Sequence, residues 1–333
     1  VSASVSVYLH KAFGKRWLSV LIGLAMVAGG VASAAALSQG FAGYLGSFIA
    51  VPSVVASVGL LIILGLIAIK GIGASAKTAA LFTVIEVIGL LLIIWFGREA
   101  FGQADIGSML TIAPSVGIGG IIAGTFLAFY AFIGFEDMVN VAEEAKNPRR
   151  TVPLAILFSL IVSTILYLLV VIVAITLVDP AELAKSSAPL TLVFEKSGAT
   201  STWILSLIGM IAAINGVIVQ IIMGSRILYG LANQGWITSK LSNVHKTYKT
   251  PITATFVVLG LMILGTILLP LVSLAQLTSL LVLSIFTLVN ASLVVIKHRG
   301  DAHKGYISVP IIVPYFGVIL CLGTILYQLL NWL

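Results

Sequence analysis

A chain of 333 residues in which 60% are hydrophobic, only 9% are charged and mean hydropathy is +1.18 cannot cover its surface with water-compatible groups. Apolar runs of about 18 to 25 residues recur along it, so residues 1–333 read as one polytopic membrane domain rather than two soluble ones. The net charge of +7 is spread over several short loops, which argues against a nucleic-acid surface, and the single Cys321 offers neither a disulfide framework nor a thiolate metal site.

Runs bounded by charge, Pro or Gly predict about nine membrane helices, starting near Trp17, Pro52, Thr78, Gly117, Pro153, Ser201, Pro251, Ser273 and Val309. With the N-terminal end in the cytoplasm, 15 of the 18 Lys and Arg residues fall on that side and only Arg98, Lys185 and Lys196 on the other (15 + 3 = 18). That asymmetry satisfies the positive-inside rule and explains the net charge. A plasma (inner) membrane is the expected location. The polar connector from Asp179 to Gly198 reads as a partly ordered external loop. The chain opens without Met or a signal-peptide pattern and closes at Leu333 directly out of an apolar run, as expected of an internal portion of a longer polypeptide.

Two positions stand out within the apolar spans. Glu86 lies mid-way along TAALFTVIEVIGLLLIIWF with no other charge beside it, and an ionisable group in hydrocarbon marks a functional site by default. It is read either as a proton carrier, as a fixed anion pairing with a cation such as sodium, or as a protonated carboxyl hydrogen-bonded within the bundle. The second position is FYAFIGFEDMVNVAEEAKNPRRTVPLAI, Phe129 to Ile156, where Gly134 precedes Glu136 and Asp137. A helix running unbroken there would hold a carboxylate in lipid, so an interruption near Gly134 is expected, of the kind whose freed N–H and carbonyl groups hold the charged ends of a substrate. The alternative is that Gly134 only allows close helix packing. Glu136 and Asp137 point about 100° apart on a helix, so both cannot face one cavity. Pro148 is expected to stop this segment and Pro153 to sit in the first turn of the next.

Asn215, Gln220 and Asn290 are polar residues in greasy helices, with interhelical hydrogen bonding as their commoner use. His10, His245, His298 and His303 fall in predicted loops away from carboxylate pairs, and neither H-E-x-x-H, G-x-S-x-G nor a Walker-type loop occurs. No metal, cofactor or enzymatic activity is therefore expected. A passive channel is disfavoured because no repeated rings of charge or carbonyls are evident.

The string F-x-G-F-E followed by A-E-E-x-K-N-P-x-R-x-x-P-x-A-I, Phe132 to Ile156, resembles the sixth-to-seventh helix region of the amino acid/polyamine/organocation permease superfamily. YLHKAFGKRW resembles the entry to that family's third helix, SSAPLTLVFEKSG its seventh-to-eighth loop, and SRILYGLANQG the end of its eighth. The resemblance implies an all-α transmembrane bundle of two inverted five-helix repeats, incomplete at the N-terminus, with the present helices corresponding to the third through eleventh of twelve. It implies a secondary active amino acid transporter working by alternating access, coupled to protons rather than sodium, with the lipid bilayer as surroundings and the oligomeric state open. A polyamine or other organic-cation permease, and a non-transporting subunit or remnant, are the alternatives.

By the same resemblance Tyr130 takes the place of the aromatic that closes over the bound amino acid, Phe132 and Ile133 offer carbonyls to its ammonium, and Gly134 supplies the bend. Glu136 takes the gating or proton-responsive position. Glu86 stands in the fifth helix of the family, where many relatives carry a lysine whose ammonium occupies the place of a sodium ion in sodium-driven cousins.

Overall fold

The computed structural model describes residue 9 and residues 13–71, 76–112, 116–135, 138, 147–300 and 309–332. No strand occurs among them, and nine apolar helices cross the molecule: α1 (Arg16–Leu45), α2 (Ser53–Ile69), α3 (Ala76–Phe96), α4 (Gly117–Ala128), α5 (Pro148–Leu177), α6 (Trp203–Asn233), α7 (Ile252–Leu268), α8 (Leu271–His298) and α9 (Ile312–Trp332). Helices dominate because hydrocarbon offers backbone N–H and C=O groups no outside partner. At 30 residues, α1 is about 45 Å long and passes the apolar layer completely, whereas the 17 residues of α2 and of α7 give about 25 Å.

Proline marks several of the starts. Pro52, Pro251 and Pro270 precede α2, α7 and α8, and Pro148 is the first residue of α5, where its missing N–H is not needed. Helix α5 therefore begins five residues before the predicted Pro153, which lies inside it. Pro148 opens this helix rather than merely stopping the segment before it.

Helix α1 is the post around which the others stand, packing on α6, α8, α2 and α7. Its Ala32, Ala34, Ala35 and Ala36 are buried, and α6 approaches it through glycines: a β-carbon on Gly216 would lie 2.6 Å from Leu37, and one on Gly209 would lie 2.8 Å from the ring of Tyr44. Small residues at such a seam let backbones approach closely, which is where van der Waals attraction is gained when lipid is as apolar as the helices. Val27 and Ala34 of α1, Leu61 of α2, Val217 and Ile221 of α6 and Val258 of α7 form the resulting core. The other face of the bundle is bare. Helix α5 exposes Leu154, Leu157, Phe158, Ile161, Ile165 and Leu168, a stripe repeating every three or four residues, which only a bilayer can solvate. The chain is an integral membrane protein.

The connector after α5 is more ordered than its mixed charges suggest. It forms two short helices, Pro180–Lys185 and Pro189–Lys196, the first capped by the Asp179 carboxylate accepting from the Ala181 N–H at 2.7 Å. Lys196 pairs with Glu182 at 3.4 Å, and Val193 and Phe194 are buried against α3 and α5. The pair is fastened to the bundle by hydroxyl contacts from Thr191 to Ser206 (3.0 Å) and from Ser206 to Ser47 (3.1 Å). It also rests directly on α1, where a β-carbon at Gly43 would run into the Ser187 carbonyl. Gly43→Val must therefore push this connector off α1, at a cost of about 1–3 kcal/mol. A lower apparent Tm of the detergent-solubilised full chain is the expected result, and an unchanged Tm would show that the contact is dispensable.

Candidate functional site

Helix α4 opens at Gly117 and keeps α-helical geometry only to Ala128. Phe129–Phe132 tighten into one 3₁₀ turn, closed by the Ile133 N–H donating to the Tyr130 carbonyl at 3.2 Å. Ile133 is then extended (φ −69°, ψ 139°) and Gly134 has φ 124°. That φ is comfortable only for glycine, and nothing lies within 4 Å of where a β-carbon on Gly134 would sit. The residue is there for its backbone freedom and not for close helix packing.

Neighbouring helices hold this turn on both sides. From α5 the Tyr167 hydroxyl donates to the Ala131 carbonyl at 3.0 Å, and its ring meets Phe132 edge-on with centroids 5.3 Å apart. In an uninterrupted helix the Ala131 carbonyl would accept the Phe135 N–H, so Tyr167 replaces a bond that the change in backbone removes. On the other side the Tyr130 hydroxyl donates to the Ser33 carbonyl of α1 at 3.3 Å, among Ala32, Ala36, Leu274 and Leu277. Phe135 packs on Phe286 of α8 with centroids 5.5 Å apart.

Between these supports lies a cavity of about 520 Å³, bounded by Met26, Gly30 and Ser33 of α1, Ile133 and Phe135 of the turn, Gln220 and Met223 of α6, and Thr278, Phe286 and Asn290 of α8. Its size suits a small organic molecule. None of the described residues lining it is charged; Ser33, Gln220, Thr278, Asn290 and Ser292 provide its polar side chains. Gln220 reaches across to α1, where Gly30 leaves room for it: a β-carbon on Gly30 would lie 2.6 Å from Gln220 Oε1.

Of the residues predicted from sequence, Ile133 lines the cavity and Gly134 follows it at the bend. Tyr130 and Phe132 lie within the 3₁₀ turn, one facing α1 and the other α5. Glu136 and Asp137 lie outside the described residues. Glu86 is half-buried and away from the cavity, accepting a hydrogen bond from Asn215 Nδ2 of α6 at 3.0 Å. Asn215 Oδ1 is buried and has no hydrogen-bond partner. Asn215 and Gln220, five residues apart, project about 140° from each other, so α6 serves Glu86 with one face and the cavity with another. Tyr167 stands within electrostatic reach of Glu86 while bonding to Ala131. Among the described residues no cluster of His, Cys, Asp and Glu is suited to a metal ion.

Sequence reading missed the roles of Tyr167, Ser33 and Gln220 and left Asn215 without one. Each is a polar residue among apolar ones in a membrane helix, and only the packing of helices far apart in sequence tells which neighbour it meets.

The family model described as Amino acid permease matches residues 1–331. The chain is 33% identical over 217 residues to the branched-chain amino acid permease BcaP of Bacillus subtilis (63% of this chain, 46% of that protein). It is 32% identical over 226 residues to human cationic amino acid transporter 4 (66% and 35%), and 24% identical over 352 residues to the methylthioribose transporter of B. subtilis (97% and 73%). It thus spans less than half the length of the first two curated relatives. The names describe permeases and transporters, not enzymes. An all-helical membrane bundle matched over nearly its whole length by that family model belongs to the amino acid permeases of the amino acid/polyamine/organocation superfamily.

Proposed function

We propose that residues 1–333 work as one transmembrane domain of a proton-coupled secondary active amino acid transporter, with the N-terminal end in the cytoplasm of a plasma (inner) membrane. The observation that carries this reading is the cavity set against Ile133, where the backbone leaves helical geometry. A zwitterion brings an ammonium that requires carbonyl oxygens and a carboxylate that requires N–H groups, and a helix interrupted within the membrane supplies both at one place. The carbonyls of Phe132 and Ile133 are the proposed acceptors for the ammonium, Tyr130 the aromatic that closes over the substrate, Gly134 the bend, and Glu136 the gating carboxyl. Alternating access between the two repeats would open the cavity first to one side and then to the other.

The relatives' printed names cover branched-chain amino acids, cationic amino acids and methylthioribose. The uncharged, largely apolar lining described for this cavity supports an amino acid with an uncharged, apolar side chain, because a buried cation without a counter-charge is strongly penalised. Glu86 is the proposed coupling group. It is the carboxylate within the described apolar spans, and it sits behind α6 rather than in the cavity, so it can change protonation without occupying the substrate's place.

Proteoliposomes carrying the full chain test the reading. Radiolabelled leucine should accumulate down an inward proton gradient, and unlabelled leucine should compete better than lysine. One proton per substrate provides about 1.4 kcal/mol per pH unit, roughly tenfold accumulation. Glu86→Gln should abolish accumulation while exchange of internal for external leucine persists. Gradient-driven accumulation at the full rate in that variant would remove Glu86 from coupling, and absence of any amino acid uptake by the unaltered chain would remove the transporter reading. Tyr167→Phe keeps the ring against Phe132 but loses the bond to Ala131, worth about 1 kcal/mol, so the apparent affinity for leucine should weaken roughly fivefold. Unchanged affinity would show that this bond does not shape the site.

A further inference from the structure

We infer that Asn215 holds Glu86 as a neutral acid through a two-point acid–amide ring, making the Glu86–Asn215 pair a protonation-dependent clasp between α3 and α6. One bond of the ring is in place: Asn215 Nδ2 donates to Glu86 Oε1 at 3.0 Å. The other half is prepared. Asn215 Oδ1 is buried without a partner, on an amide whose two heteroatoms are spaced like the two oxygens of a carboxyl group. A proton on Glu86 Oε2 would give Oδ1 the donor that it lacks, and a buried acceptor left unmatched is a cost that native structures avoid.

Among the described residues, the surroundings give the pair no competing cation. Helix α3 packs against α6, α5 and the short helix Pro189–Lys196. From α6 the facing group is Asn215, with Arg226 and Tyr229 about three to four turns further along. From α5 it is Tyr167, whose hydroxyl is committed to the Ala131 carbonyl, with Arg149 and Arg150 about five turns before it. Glu195 and Lys196 of the short helix are exposed, and Lys196 is paired with Glu182.

Loss of the proton removes the second bond and strands Oδ1 again. The two helices are therefore clasped more tightly when Glu86 is protonated, and Asn215 is a positioning residue that senses that proton. The functional consequence rests on Glu86 being the coupling group, but the ring itself can be read without transport. Infrared difference spectra of the full chain in lipid, acid minus alkaline, should contain a protonated-carboxyl C=O band that vanishes in Glu86→Gln. In the unaltered protein it should lie at the low-frequency, doubly hydrogen-bonded end of the range. Asn215→Ala should move it to higher frequency, and Asn215→Ser, whose shorter side chain cannot close the ring, should do the same. A Glu86 band at the free-acid position in the unaltered protein, no such band, or a band unmoved in either variant would overturn the inference. Leucine uptake measured beside it separates failure of the ring from failure of the transporter reading.

Discussion

Hydrocarbon gives a polar backbone group nothing to bond, so a helix may lose its regular geometry inside a membrane only where protein meets the groups it releases. At the end of α4 that requirement is met from α5. The change to a 3₁₀ turn at Phe129 and to extended backbone at Ile133 deprives the Ala131 carbonyl of its helical partner, and the Tyr167 hydroxyl takes the vacant place at 3.0 Å. Phe132 on Tyr167, Tyr130 on Ser33 and Phe135 on Phe286 then fix the direction of the turn. Ile133 then borders a cavity of about 520 Å³.

Helix α6 separates the two halves of the proposed mechanism and also joins them. One face carries Gln220 into the cavity opposite Gly30, and another carries Asn215 to Glu86. Its glycines seat it tightly on α1, so a displacement at one face is not absorbed at the other. Tyr167 makes a second connection, lying in the field of Glu86 while bonded to the turn that borders the cavity. Substrate and proton need not meet for their binding to be linked. Each has only to favour the same arrangement of α3, α5 and α6.

Much of this could be read from the chain because the bilayer imposes simple rules. Apolar runs long enough to cross it gave helix starts within a few residues at eight of the nine spans, and the exception, α5, turned on which of two prolines occupies the first turn. The unusual backbone at Gly134 was equally legible, since this glycine stands between bulky apolar residues just before two carboxylates that a helix continuing through it would hold in lipid. The polar partners were not. Asn215 meets Glu86 across 129 positions and Tyr130 meets Ser33 across 97, distances at which periodicity carries no information about who faces whom. The connector after α5 was underestimated because its charges conceal the buried Val193 and Phe194.

An experimental structure of the full chain with leucine bound in lipid would test the proposed site most directly. The leucine ammonium is expected within hydrogen-bonding distance of the Phe132 or Ile133 carbonyl, with Tyr167 still on Ala131 and the side chain directed toward Met26, Met223 and Phe286. Regular α-helix running unbroken through Phe129 to Met138, or leucine bound away from this turn, would contradict it.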